Sequence, residues 1–235
     1  MTAKEIVEQL KPLGAEGYKK ILLNHGAVEP VLGVKIEELK KFQKSIKQDY
    51  QLALDLYDTG IYDAMYLAGL IADDMKMSKK DLQHWAKTAN CQGISEYTVP
   101  WVASESRFGF ELAREWIESK QESIAATGWA TLSSLVAIKD DSELDVAALK
   151  KLLVRVTKTI HQQPNRVRYT MNGFVIAVGS YVKALTDEAL KVADQMGEVT
   201  VDMNGTACKV PAAAAYLQKI EHRGAIGKKR KTAKC

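Results

Sequence analysis

The sequence predicts an all-α fold, a right-handed solenoid of stacked helical pairs. Two observations carry this prediction. Amphipathic segments follow one another along almost the whole chain, each closed after a few turns by Gly, Pro or Asn. Helices this short, joined by loops this short, bury their apolar faces only by stacking pairwise. With 235 residues and 46% hydrophobic content, the chain can build a large core.

Taken in order, helices are expected over about 2–11, 15–24, 36–47, 49–59, 61–73, 79–89, 93–103, 107–118, 121–138, 143–160, 165–185 and 187–196. Leu52, Leu56 and Tyr57 fall on one face of the fourth segment, and Met65, Leu67, Ala68 and Ile71 continue the pattern in the fifth. Ser78 and Ser142 each precede an acid at capping-box spacing, so both are expected to be N-caps. Pro164 stands where a helix begins, which suits its fixed φ and missing N–H. One segment breaks the helical pattern. Residues 198–210 alternate β-formers around Asn204-Gly205, which predicts a small β-hairpin with a tight type I′ turn. Pro211 then opens a last helix. No strict internal period is visible and the signatures of TPR and ankyrin repeats are absent, which leaves degenerate HEAT-like pairs in one domain over residues 1–222.

Charge is segregated along the chain. Residues 146–186 contain no Asp or Glu but carry Lys150, Lys151, Arg155, Lys158, Arg166, Arg168 and Lys183. Arg223, Lys228, Lys229, Arg230, Lys231 and Lys234 add six cations after His222, in a stretch expected to form a basic, disordered arm. Since the whole chain carries only +4, everything outside these stretches is acidic. Such segregation points to a polyanion, above all nucleic acid; the plain alternative is a solvated basic face.

Other function classes find little support. Cys91, Cys208 and Cys235 are too far apart for a disulfide framework or a metal-ligand spacing, which suits a reducing, cytoplasmic compartment. No run approaches the apolar length of a membrane span. Phosphate-loop, HExxH and CxxC patterns are missing, so no cofactor and no metal is expected.

Residues 33–74, with LALDLYDTGIYDAMYLA at their centre, then 82–99, 127–137 and 167–182, resemble the AlkD-type DNA alkylation repair family in the same order. The resemblance implies a HEAT-like solenoid of the DNA glycosylase superfamily that grips duplex DNA in a concave groove, in its best-known branch excising cationic N3- and N7-alkylated purines. It also implies a Trp and an Asp four residues apart on one helix face, an Arg before the TGWATLSSL segment, and a late Asn-Trp pair. In this sequence those positions hold Gln92, Glu96, Ala126 or Thr127, and Asn172-Gly173. The carboxylate alone survives, one methylene longer, and a displacement of about 1 Å costs catalysis heavily. Excision is therefore brought into question while the DNA-gripping architecture is retained.

The candidate catalytic residue is Glu96, whose carboxylate would stabilise an oxocarbenium-like sugar. The candidate DNA-binding residues are Gln92, Trp129, Lys151, Arg155, Lys158, His161, Arg166, Arg168, Asn172, Lys229 and Arg230. Arginines and lysines suit phosphates, and Trp129 suits stacking on sugar or base. Trp85 and Trp101 read as core aromatics, and His25, His84 and His222 carry no functional argument. The expected partner is double-stranded DNA, alkylated or branched, bound by a single chain with weak sequence preference. The alternatives are an active alkylpurine glycosylase using Glu96, and a helical-repeat scaffold for protein partners.

Overall fold

The computed structural model describes residues 1–235, and its regular structure is entirely helical. The helices are α1 (Ala3–Leu10), α2 (Glu16–Asn24), α3 (Ile36–Ile46), α4 (Tyr50–Tyr57), α5 (Tyr62–Ile71), α6 (Lys79–Thr88), α7 (Val99–Glu105), α8 (Gly109–Trp116), α9 (Glu122–Ile138), α10 (Val146–Thr159), α11 (Asn165–Tyr181), α12 (Thr186–Met196) and α13 (Ala213–His222). Most lie within two or three residues of the expected spans, because apolar periodicity and caps mark their ends. Ser78 closes a capping box with Asp81 at the start of α6. Ser142 does not cap α10. It lies in a 3-10 turn, Asp141–Glu143, and Asp145 is the cap, accepting from the Ala148 amide at 2.9 Å, because its carboxylate sits nearer the first apolar residue.

Helices pack in sequence, α4 on α5, α8 on α9 and α11 on α12, and the longest interface joins α9 to α11. The core forms in two parts. One gathers side chains from α1 and from α3 through α8, with Tyr57 stacked on Trp85 at 4.1 Å; the other gathers α8 through α13 around Trp129 and Phe174. Trp85 is thus a core aromatic as expected, its backbone carbonyl accepting from the Tyr57 hydroxyl at 2.7 Å. Asp63, fully buried in α5, accepts from the Leu32 and Val34 amides at 2.6 and 2.7 Å and pins the loop before α3.

The predicted β-hairpin is not formed. Asn204 and Gly205 do take the two positive φ values, 55° and 68°, of a tight turn, but the arms do not pair as strands. Val199 and Val201 are buried against the second core, and the side chain of Asn165 in α11 engages Asp202 twice, donating to its carbonyl at 2.9 Å and accepting from its amide at 2.7 Å. The opposite arm, Ala207, Cys208 and Lys209, is exposed and offers no apolar face to match. The alternation therefore serves a loop laid on helices.

Residues 223–235 also depart from expectation, forming a strap with fixed contacts. The Gly227 amide donates to Ser180 at 2.8 Å and the Arg230 amide to Ala137 at 2.7 Å. Glu105 accepts from the Ala233 amide at 2.7 Å, and Lys234 reaches Asp74 and the Ala72 carbonyl at 2.8 and 2.9 Å. Ala233 is buried in the first core, so the strap joins the two halves. Two of its cations, Lys229 and Lys234, find carbonyls and carboxylates at helix C-termini, which composition alone does not reveal.

Candidate nucleic-acid interface

The segment carrying Gln92 and Glu96 enters α7 through one wide π-type turn, Ile94–Thr98. That turn buries Ser95, Glu96 and Thr98 and leaves Tyr97 exposed. It fits because Gly69 of α5 has no Cβ, which would otherwise stand 2.5 Å from the Thr98 methyl carbon.

Glu96 is bound at both oxygens by Arg166, from Nε at 2.7 Å and Nη2 at 2.6 Å, with 2% of the Glu96 side chain exposed and 17% of the arginine's. Burial pushes the Glu96 carboxyl up, while Arg166 pulls it back. Arg166 lies at the start of α11. Its own amide donates to Glu122 at 2.6 Å and its guanidinium covers the Tyr169 ring at 4.3 Å. Ala126 and Thr127, at the family's arginine position, are fully buried in α9, with the Thr127 hydroxyl donating to Ser123. The cation beside the carboxylate thus comes from another helix and faces the carboxylate instead of solvent.

Two cavities flank this pair. The first, about 300 Å³, lies between α7, α9 and α11 and is lined by Glu96, Tyr97, Trp101, Tyr169, Asn172 and Gly173 among others. The second lies toward α2 and α5, with Tyr62, Tyr66, His25, Gln92 and Cys208 in its walls. Tyr97, Trp101 and Tyr169 belong to both, forming an aromatic ridge. Trp101 meets Tyr66 edge-on at 5.3 Å and Tyr97 at 6.4 Å. Asn172 is buried, its amide nitrogen donating to Pro211 at 2.9 Å and its oxygen without a partner.

The other sequence candidates divide into free and engaged groups. Lys151 and Lys158 are exposed and without ion-pair partners. Arg230 is exposed at the rim of the first cavity. Arg155 is held by Glu118, with one contact at 3.2 Å, and by the Ile117 carbonyl at 3.3 Å. Lys229 is held by Asp141 and the Val136 carbonyl, at 2.8 and 2.9 Å. His161 bonds the Met196 carbonyl at 2.8 Å, Arg168 bonds Asn165 at 3.4 Å, and Gln92 donates to the His25 carbonyl. Trp129, read as a stacking residue, is 1% exposed and packs edge-on against Phe174 at 5.1 Å beneath Arg155. The α9 segment is apolar on nearly every side, so its tryptophan goes inward.

The aromatic ridge was not anticipated. Its signal in the sequence is the i,i+4 pair Tyr97/Trp101, and the same spacing relates Tyr62 and Tyr66 in the wall of the second cavity.

The family model described as DNA alkylation repair enzyme matches residues 6–215. The chain belongs to this family. Uncharacterised proteins of Listeria innocua and Listeria monocytogenes are each 29% identical over 229 residues, covering 95% of this chain and 99% of theirs. A solved structure described as a new family of proteins related to the HEAT-like repeat DNA glycosylases, with affinity for branched DNA structures, superposes with a TM-score of 0.93 at 35% identity. It covers 100% of both chains. The helical pairs are therefore HEAT-like repeats. No helix of this DNA alkylation repair family member is long and apolar enough to cross a membrane.

Proposed function

We propose that this protein binds branched or distorted duplex DNA through the phosphate backbone and does not excise bases. The observation that carries this reading is the Glu96–Arg166 pair. A carboxylate that stabilises a positively charged sugar must face it with its charge available, whereas Glu96 is neutralised at both oxygens inside the protein. Lys151, Lys158 and Arg230 are exposed and offer charge not used within the fold. Such contacts position a duplex without reading its bases, so affinity falls steeply with salt and follows DNA shape. The branched-DNA affinity described for the 35%-identical relative supports the preference for distorted DNA.

The test is retention of a three-way junction and of a linear duplex of equal length across a salt titration. The reading predicts tighter, salt-dependent retention of the junction. Equal weak retention of both would overturn it.

A further inference from the structure

The geometry points to the first cavity as a receptor for one unpaired nucleobase, an inference that rests on the DNA-binding reading and names what the groove takes from a branch point. Its walls supply the stacking surface a base requires. Tyr97, Trp101 and Tyr169 provide aromatic surface for stacking, and Tyr97 remains partly exposed beside the opening. Asn172, 1% exposed, is among the residues lining the same space, and its amide nitrogen is held by the Pro211 carbonyl.

Gly173 leaves the cavity its space. The family resemblance places a Trp at the position of Gly173, and Gly173 is on the cavity wall with nothing within 4 Å of where a Cβ would stand. An indole there would occupy the volume; glycine leaves about 300 Å³, at the lower end of small-ligand sites. Arg230 at the rim lies where it can meet the phosphate beside an inserted nucleotide. A branch point supplies the base cheaply, since nucleotides there are already unpaired and flipping costs least for them. Every base has a π-face, so stacking in the pocket detects unpairing and not sequence.

The experiment uses the full chain with a three-way junction carrying 2-aminopurine as an unpaired nucleotide at the branch. Its readouts are junction retention and quenching of the 2-aminopurine by acrylamide. In the native protein the fluorophore is expected to be shielded from acrylamide. Gly173→Trp, which refills an open space, is expected to restore quenching and weaken junction retention about tenfold. Retention of a fully paired duplex should be unchanged. Tyr97→Ala, an exposed position, provides a second variant with the same expectation. Equal quenching with native protein and with Gly173→Trp, at unchanged junction retention, would overturn the pocket while leaving DNA binding intact. Failure of the native protein to retain any DNA would overturn the binding reading and the pocket together.

Discussion

Arg166 closes on Glu96 with two parallel N–H bonds, 2.7 and 2.6 Å long, where only 2% of the carboxylate side chain meets solvent. Removing one partner leaves the other buried and uncompensated. Arg166→Met should therefore destabilise the fold by about 3–5 kcal/mol, whereas Arg166→Met combined with Glu96→Leu should recover most of that loss. Urea denaturation of the three proteins checks this; an additive double variant would contradict the coupling.

The strap makes a pH prediction. Burial pushes the Asp74 carboxyl up to about 6 in spite of Lys234 beside it. A carboxyl raised on folding holds its proton more tightly in the native state. Its contribution to stability therefore falls as pH rises from the ordinary carboxylate range through about 6. Relative to Asp74→Asn, the native protein should lose on the order of 2 kcal/mol between about pH 4 and 7. Urea midpoints across that range measure the difference, and parallel curves for the two proteins would refute it.

Lys158 and Arg155 lie less than one helical turn apart on α10 but are used differently. Lys158 is unpaired, while Arg155 is tied to Glu118 and covers Trp129. Lys158→Gln should lower the salt dependence of DNA retention by about one unit of log–log slope. Arg155→Gln should instead lower the thermal midpoint and leave that slope nearly unchanged. Salt titrations and melting curves separate the two roles.

Cys208 should be the most reactive thiol. His25 stands 3.5 Å from its sulfur and pulls its pKa down, while the other ring nitrogen of His25 bonds the Ile21 carbonyl at 2.8 Å. Burial pushes the Cys91 thiol up. Iodoacetamide should thus label Cys208 before Cys91 at neutral pH, and His25→Ala should slow Cys208 specifically. Mass mapping of labelled peptides over time gives the answer.

The fold was legible where local chemistry and packing agree. Leu52, Leu56 and Tyr57 stand inward as their spacing requires, and Ser78 caps α6 because its partner Asp81 is three residues away. It was not legible where a distant partner decides. Asn204-Gly205 makes its turn, but Asn165 from α11 takes up the backbone groups of Asp202 outside any ladder. Lys234 and Lys229 look like a solvated tail until Asp74 and Asp141 are brought to them by the fold. Glu96 is the sequence's candidate catalytic carboxylate, yet Arg166, seventy residues away, determines what it can do. The departures at Gln92 and Gly173 from what the resemblance implies are visible in the sequence, but the cavity beside Gly173 depends on the neighbouring helices.

The central claim is that the groove is kept while the excision chemistry is given up. Single-turnover release of 7-methylguanine from a methylated three-way junction, under conditions where the junction is retained, tests it most directly. The account predicts retention with no release above the spontaneous rate. Release that disappears in Glu96→Gln would contradict it.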